Sequence, residues 1–277
     1  MQFGAHVKSL DDIAVLREMG FDLGEVLLKD RKALEYWRES DVRTRLDGDF
    51  FLVAHGPREG PPNDLENLWN HYRPALRETL IVAAGLEIRL LTVHLWMDPR
   101  FVKPEVLSEK RRALSEVCRF AHELGVVVSL ENLSECADDL NQALEEIPEL
   151  SITLDVGHGQ LLTGTNTAYD IIEKLIERVA HVHLHDNRGG GGVKDDLHLP
   201  IGNGIIDFFP KDRREVLRRL WTATGKAQTE AIKLVTSKLD ATNIDATIAA
   251  VMEQAGNQID RELQSLCGGS GNSRASS

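Results

Sequence analysis

Residues 151–160 read SITLDVGHGQ, and the fold is decided by what this stretch shares with the rest of the chain. A short β-favouring run, Ser151–Leu154, ends in Asp155. Gly157 permits a tight turn, and His158 lies three residues beyond the aspartate. A carboxylate closing a buried run is costly unless it is paired or holds an ion. The pattern recurs in both directions. Phe50–Ala54 ends at His55, Ile88–Val93 at His94 and Val126–Leu130 at Glu131, while Val179–Leu184 contains His183. Glu, Asp and His are the side chains that bind hard or borderline divalent ions. Strand ends gathered on one rim are where a (β/α)8 barrel places its chemistry.

Longer helical patterns separate these runs, as expected for βα units on a parallel sheet. Strands are predicted at Phe3–Val7, Leu23–Leu28, Phe50–His55, Ile88–Leu95, Val126–Glu131, Ile152–Asp155 and Val179–His185. The intervening helices are Ser9–Met19, Lys29–Glu39, a long one reaching Ala84, Pro104–Leu124, Ala137–Glu146 and Ala168–Arg178. Phe208–Leu220 reads as helical, Ala227–Val235 as an eighth strand and Asp245–Glu253 as the last helix. The stretch AQTEAIKLVTSKL around that eighth strand reads equally well as helix. Eight units predict a single-domain α/β TIM barrel over 1–266, with the eighth unit at about 223–255. A flexible tail follows at 267–277, ending GGSGNSRASS.

A net charge of −12, from 32 basic and 44 acidic residues, argues against affinity built on broad phosphate neutralisation, and so against a nucleic-acid partner. The three cysteines, Cys118, Cys136 and Cys267, show no CxxC spacing and read as reduced thiols. The beginning, MQFGAHVKSLDD, lacks the shape of a signal peptide, and no apolar run is long enough to cross a bilayer. A cytoplasmic location is therefore expected. The oligomeric state, including a homo-oligomer, is left open.

Taken singly, the polar residues admit two readings. Glu131 in SLENLSE is a metal ligand or a salt-bridged rim residue, with Asn132 beside it able to hydrogen-bond a substrate. Asp155 and His158 are spaced to reach one ion. His181, His183 and His185 share one strand face, and one of the three is expected to be a ligand, with spacing unable to separate His183 from His185. Asp196 and His198 follow the run Gly189–Gly192, which is either a closing loop or a plain surface loop. His55 and His94 gain interest only from their shared strand-end position. Glu230 is a candidate only if the eighth strand forms. His6, His71 and His122 read as structural or solvent-facing, and the charged stretch Glu109–Arg119 as a solvated helix face.

With AHGP, SLEN, LDVGH, HVHLHDN and DLHLPIGNGIIDF in this order, the chain resembles the xylose-isomerase-like TIM-barrel superfamily over about 1–209. More narrowly, it resembles the branch of sugar phosphate isomerases and epimerases that also holds endonuclease IV. In the isomerases the resemblance implies one divalent ion (Zn, Mn, Co or Mg) on Glu131, Asp155, His183 and Glu230. The two glutamates would move protons through an enediolate of a small sugar, sugar phosphate or keto-polyol. His158, His185, Arg188 and Lys194 would orient substrate or meet an anionic group. In endonuclease IV it implies two or three zinc ions on His55, His94, Glu131, Asp155, His158, His183, Asp196, His198 and Glu230. The isomerase or epimerase is the first expectation from sequence. An endonuclease-IV-like phosphodiesterase, or a dehydratase of the same superfamily, is the alternative. The sequence departs from endonuclease IV in reading HLWMD after the fourth strand, and GPREGPP, without an aromatic, after His55.

Overall fold

The computed structural model describes residues 2–46 and 48–208. Seven strands appear in chain order: β1 (Gly4–Val7), β2 (Leu23–Leu27), β3 (Phe51–His55), β4 (Leu90–His94), β5 (Val127–Glu131), β6 (Ser151–Asp155) and β7 (Val179–His183). They form one sheet in the order β1-β2-β3-β4-β5-β6-β7, and each neighbouring pair is parallel. Helices α1 (Leu10–Glu18), α2 (Arg31–Glu39), α3 (Leu65–Asn67), α4 (Arg73–Gly85), α5 (Pro104–Glu123), α6 (Ala137–Glu146) and α7 (Ala168–Leu175) fill the connections. This sequential parallel order is that of a TIM barrel. The expected helix Phe208–Leu220 beyond its first residue, the eighth strand with Glu230, the helix after it, the tail and Cys267 lie outside the described residues.

The strands read as continuous apolar runs because helices cover one face and the barrel interior covers the other. Their interior is not wholly apolar. Thr92, Ser129 and Thr153 are fully buried, and their hydroxyls link at 2.9 Å (Thr92–Thr153) and 2.7 Å (Thr153–Ser129). This layer ties β4, β5 and β6 together just below the strand ends. Side chains of β2 and β7, strands far apart in the sheet order, also meet: Glu25 Oε1 lies 3.1 Å from His183 Nε2. The sheet therefore curls far enough to bring its early and late strands to a common interior.

Helix α5 corrects the reading of Glu109–Arg119 as a solvated face. Pro104 opens the helix, where its missing N–H costs nothing, and Gly125 at φ +69 receives its end. The buried stripe runs Val106, Lys110, Ala113, Leu114, Val117, Cys118 and Ala121, at helical spacing. Lys110 is only 1% exposed. Its ammonium pairs with Glu59 from the loop after β3 and donates to Trp96 O at 2.8 Å. The same loops are pinned by Glu135, which accepts from Met97 N at 2.5 Å, and by Asp98, which accepts from Ser134 Oγ at 2.7 Å. Asp98 is gripped in addition by Arg100. The loops that leave β3, β4 and β5 are thus fastened to one another by buried ionic groups.

Candidate metal centre

Register places the polar strand ends side by side. His94 pairs with Glu131 across β4 and β5, and Asp155 with His183 across β6 and β7. Glu131, 1% exposed, is the hub. Its Oε2 lies 3.0 Å from His55 Nε2 and 2.5 Å from His94 Nε2, while its Oε1 lies 2.7 Å from His183 Nδ1. Asp155 meets His185 Nε2 at 3.0 Å, and Asp196 meets His198 Nε2 at 3.0 Å and His158 Nε2 at 3.4 Å. Among the described residues, three groupings at this rim have donor atoms close enough to share an ion: His55–His94–Glu131, Glu131–Asp155–His183, and His158–His185–Asp196–His198. Their rings form a continuous patch, with centroids 4.8 Å apart for His55–His94, 5.8 Å for His94–His158 and 4.0 Å for the stacked His185–His198 pair.

A fourth grouping, Glu25–His181–His183, lies deeper, and all its members are buried. Here His183 offers Nε2, whereas Nδ1 faces Glu131. One neutral imidazole has a single lone pair for an ion, and its other nitrogen carries a proton that a carboxylate can accept. Glu25 therefore suits the role of orienting His183 rather than that of a separate ion site. His6 adds a contact to Glu25 Oε2 at 3.2 Å, so it belongs to this network.

Without an ion these groups lean on one another. Burial would raise the Glu131 carboxyl, but His94 and His183 outweigh it and hold it well below the usual range. Burial would likewise raise Asp155, and His158 and His185 hold it low. In return burial would depress His158, yet Asp155, Asp196 and Glu131 lift it to about 10. His183 is raised well above its ordinary value by Glu25 and Glu131, against burial. His94 goes the other way, because burial outweighs Glu131.

These residues fit divalent ions. Each grouping combines at least one imidazole with at least one carboxylate, donor types that zinc accepts. His185 Nδ1 and Asp196 Oδ1 are buried without a hydrogen-bond partner, the condition an ion would relieve.

The structure brings together His55, His94, Glu131, Asp155, His158, His183, Asp196 and His198. Asp155 and His158 fall in adjacent groupings rather than one, and both His183 and His185 belong to groupings where one ligand was expected. Asn132 is spent on the backbone: its amide donates to Asp155 O at 2.9 Å and accepts from Asp155 N at 2.8 Å. It braces β5 against β6. Arg188 and Lys194 are exposed on the loop after β7. Glu25 was missed as a member of the network. A lone Glu inside the apolar run LGEVL was the available signal, since a buried charge needs partners.

The sequence profile of the xylose isomerase-like TIM barrel matches residues 13–211. The chain belongs to this family. It is 30% identical over 237 residues to uncharacterized protein MJ1311 of Methanocaldococcus jannaschii, covering 76% of this chain and 73% of that protein. A second protein of that organism, MJ1614, is 29% identical over 149 residues, 51% of this chain, and the chain spans only 56% of it. A probable endonuclease 4 of Thermotoga sp. (strain RQ2) is 26% identical over 207 residues, 66% of this chain and 69% of that enzyme. Among solved structures, a D-tagatose 3-epimerase-like protein superposes with a TM-score of 0.69 at 24% identity, covering 94% of this chain and all of that one. The IOLI protein with a bound zinc atom gives 0.70 at 13% identity, covering 92% and 97%. These likenesses show the barrel. No helix among the described residues is long and apolar enough to cross a membrane.

Proposed function

We propose that this chain is a metal-dependent hydrolase of phosphate esters, with Glu131 bridging two ions and a third ion alongside. One observation carries the reading: Glu131 presents Oε2 to the His55–His94 grouping and Oε1 to the Asp155–His183 grouping. A one-ion isomerase site has no use for His55, His94, Asp196 and His198. The similarity to endonuclease 4 supports the same direction. Divalent ions in these groupings would supply Lewis-acid polarisation of a phosphate oxygen and a water acidic enough to attack near neutral pH. The chain itself fixes the donors on rigid strand ends, orients His183 through Glu25, and excludes water beneath the site with the Thr92–Ser129–Thr153 layer.

The substrate is small rather than duplex DNA. Net charge is −12, which opposes affinity built on broad phosphate neutralisation, and exposed cations on the described rim loops include Arg58, Arg100, Arg188 and Lys194. They suffice to meet one phosphate. The test is hydrolysis of sugar phosphates and of simple phosphodiesters by zinc-loaded protein, against Glu131→Gln as control. Abasic-site DNA is included in the same panel, and its cleavage would correct the substrate class while keeping the chemistry.

A second reading is sugar epimerisation or isomerisation, with the related dehydration of a keto-polyol as a variant. It is favoured by the Glu131–Asp155–His183 grouping, which alone could hold one Zn, Mn, Co or Mg ion, with a small carbohydrate as substrate and Glu131 as a proton-transfer group. Epimerisation of ketoses with no phosphate release would establish that reading and overturn the first.

A further inference from the structure

We propose that Tyr72, delivered by a π-helical turn between α3 and α4, is a positioning residue for His94 in the His55–His94–Glu131 grouping. The proposal rests on the reading that this grouping holds an ion, and it names a side chain outside the ligand set on which that ion depends. The Tyr72 hydroxyl donates to the carbonyl of His94, and the residue is only 3% exposed.

The strand end explains why His94 needs this contact. Strand β4 pairs with β5 along its whole length, from Leu90 to His94, but with β3 only at Leu91 and Thr92. Gly56 N donates to Thr92 O at 2.8 Å. Carbonyls two residues apart on a strand point the same way, so His94 O is the next one along on the β3 side. The Tyr72 hydroxyl serves it in place of a strand amide. The ring of His94 also lacks a second hold. His55 Nδ1 faces Gly56 O at 3.1 Å and His183 Nε2 faces Glu25, whereas among the described residues His94 Nδ1 makes no such contact. Its aim at Glu131 therefore depends on its backbone. Tyr72 fixes that backbone at the His94 carbonyl, and Glu59 fixes it two residues on, at Trp96 N, 2.9 Å away.

The turn that carries Tyr72 has a cause in the sequence. Residues Leu68–Tyr72 are π-helical and run directly into α4, with Arg73 N–H bonding the Leu68 carbonyl five residues back. Pro74 follows. It has no N–H for the Asn70 carbonyl, and its ring crowds that oxygen, which a wider turn relieves. The wider turn also keeps the buried face in line. Leu68, Tyr72, Leu76 and Leu80 are buried at a spacing of four. In an unbroken α-helix each such step overshoots a full turn by roughly 40°, and the wide turn takes back part of that drift. Tyr72 thereby stays on the line that meets Val93 and Leu95. On its outer side the turn is clasped to α5. Trp69 Nε1 donates to Glu109 at 3.0 Å, and the guanidinium groups of Arg73 and Arg112 lie 4.9 and 4.4 Å from its ring centre.

Zinc affinities are measured by chelator competition in wild-type protein, Tyr72→Phe, His94→Ala and Leu80→Ala, with a thermal melt of each. His94→Ala should lose one ion, which marks the affinity that belongs to this grouping. Tyr72→Phe should keep every ion and weaken that same one by roughly 10-fold, the low end for an orienting partner because the hydroxyl acts through the backbone. Its other affinities should not move. Leu80→Ala, two turns further along the same face, should lower Tm through its cavity and leave all zinc affinities unchanged, which separates positioning from packing. In cobalt-loaded protein, Tyr72→Phe should alter the visible absorption that His94→Ala removes. Unchanged affinities and absorption in Tyr72→Phe, while His94→Ala loses an ion, would overturn the positioning role and leave the ion site standing. A weakening spread equally over all ions, or matched by Leu80→Ala, would overturn it too. His94→Ala that keeps every ion would overturn the underlying reading, and the positioning role with it.

Discussion

Glu25 Oε1 on β2 lies 3.1 Å from Nε2 of His183 on β7, while Nδ1 of the same ring faces Glu131 at 2.7 Å. The imidazole is held from both sides, so its tilt is set before any ion arrives. Losing such a partner typically costs 10–100-fold in metal affinity. Glu25→Ala should therefore weaken one ion by about that factor, and Glu25→Gln, which keeps an acceptor, by less. Chelator competition measures it. Equal affinity in wild type and both variants would remove the orienting role.

Glu131 serves two groupings at once. Glu131→Gln should release two of the three ions and leave the His158 grouping loaded. Turnover should fall by roughly 10³-fold or more, because several kcal/mol of transition-state stabilisation leave with the ions. Parallel metal analysis and rate measurement check this. Loss of activity with all ions retained would recast Glu131 as a proton-transfer group and favour the epimerase.

Stability should depend on pH differently with and without metal. In metal-free protein His158 is lifted from 6.5 to about 10, and His55, His183 and His185 are also raised. A raised folded value contributes stability that is whole below 6.5 and fades as pH climbs towards 10. The Tm of chelated protein should thus fall between neutral pH and pH 10. Ligating imidazoles have already given up their protons, so zinc-loaded protein should lack that slope, and zinc uptake near pH 7 should release protons. Identical pH slopes in both forms would contradict the assignment of these histidines as ligands.

The buried Lys110–Glu59 pair fixes the loops behind the site. Lys110→Met leaves Glu59 buried without its counter-ion, at a cost of about 3–5 kcal/mol, or roughly 10 °C in Tm. Combining it with Glu59→Gln should recover most of the loss. Thermal melts of the single and double variants decide it, and additive losses would contradict the pairing.

The barrel was legible because its strands are short, buried and closed by polar residues, and the seven described strands fall within two residues of where the apolar runs predict them. Helix α6 matches its predicted bounds, Ala137–Glu146. The gathering of polar residues at the strand ends was legible for the same reason. What escaped the sequence depends on the third dimension. Glu25 sits mid-strand, and its partners come from β1 and β7, so no local spacing announces it. Lys110 lies among charged neighbours in α5, and only packing against the β3 and β4 loops shows that it faces inwards. His185 could not be separated from His183 at period two. Strand β7 ends between them, which sends His183 to Glu131 and His185 to Asp155.

Elemental analysis of protein purified without added metal or chelator tests the central claim most directly. Three ions per chain, chiefly zinc, are expected. A single ion that is lost with Glu131→Gln, in protein whose fold is intact, would contradict the bridged centre and return the chain to a one-ion sugar isomerase.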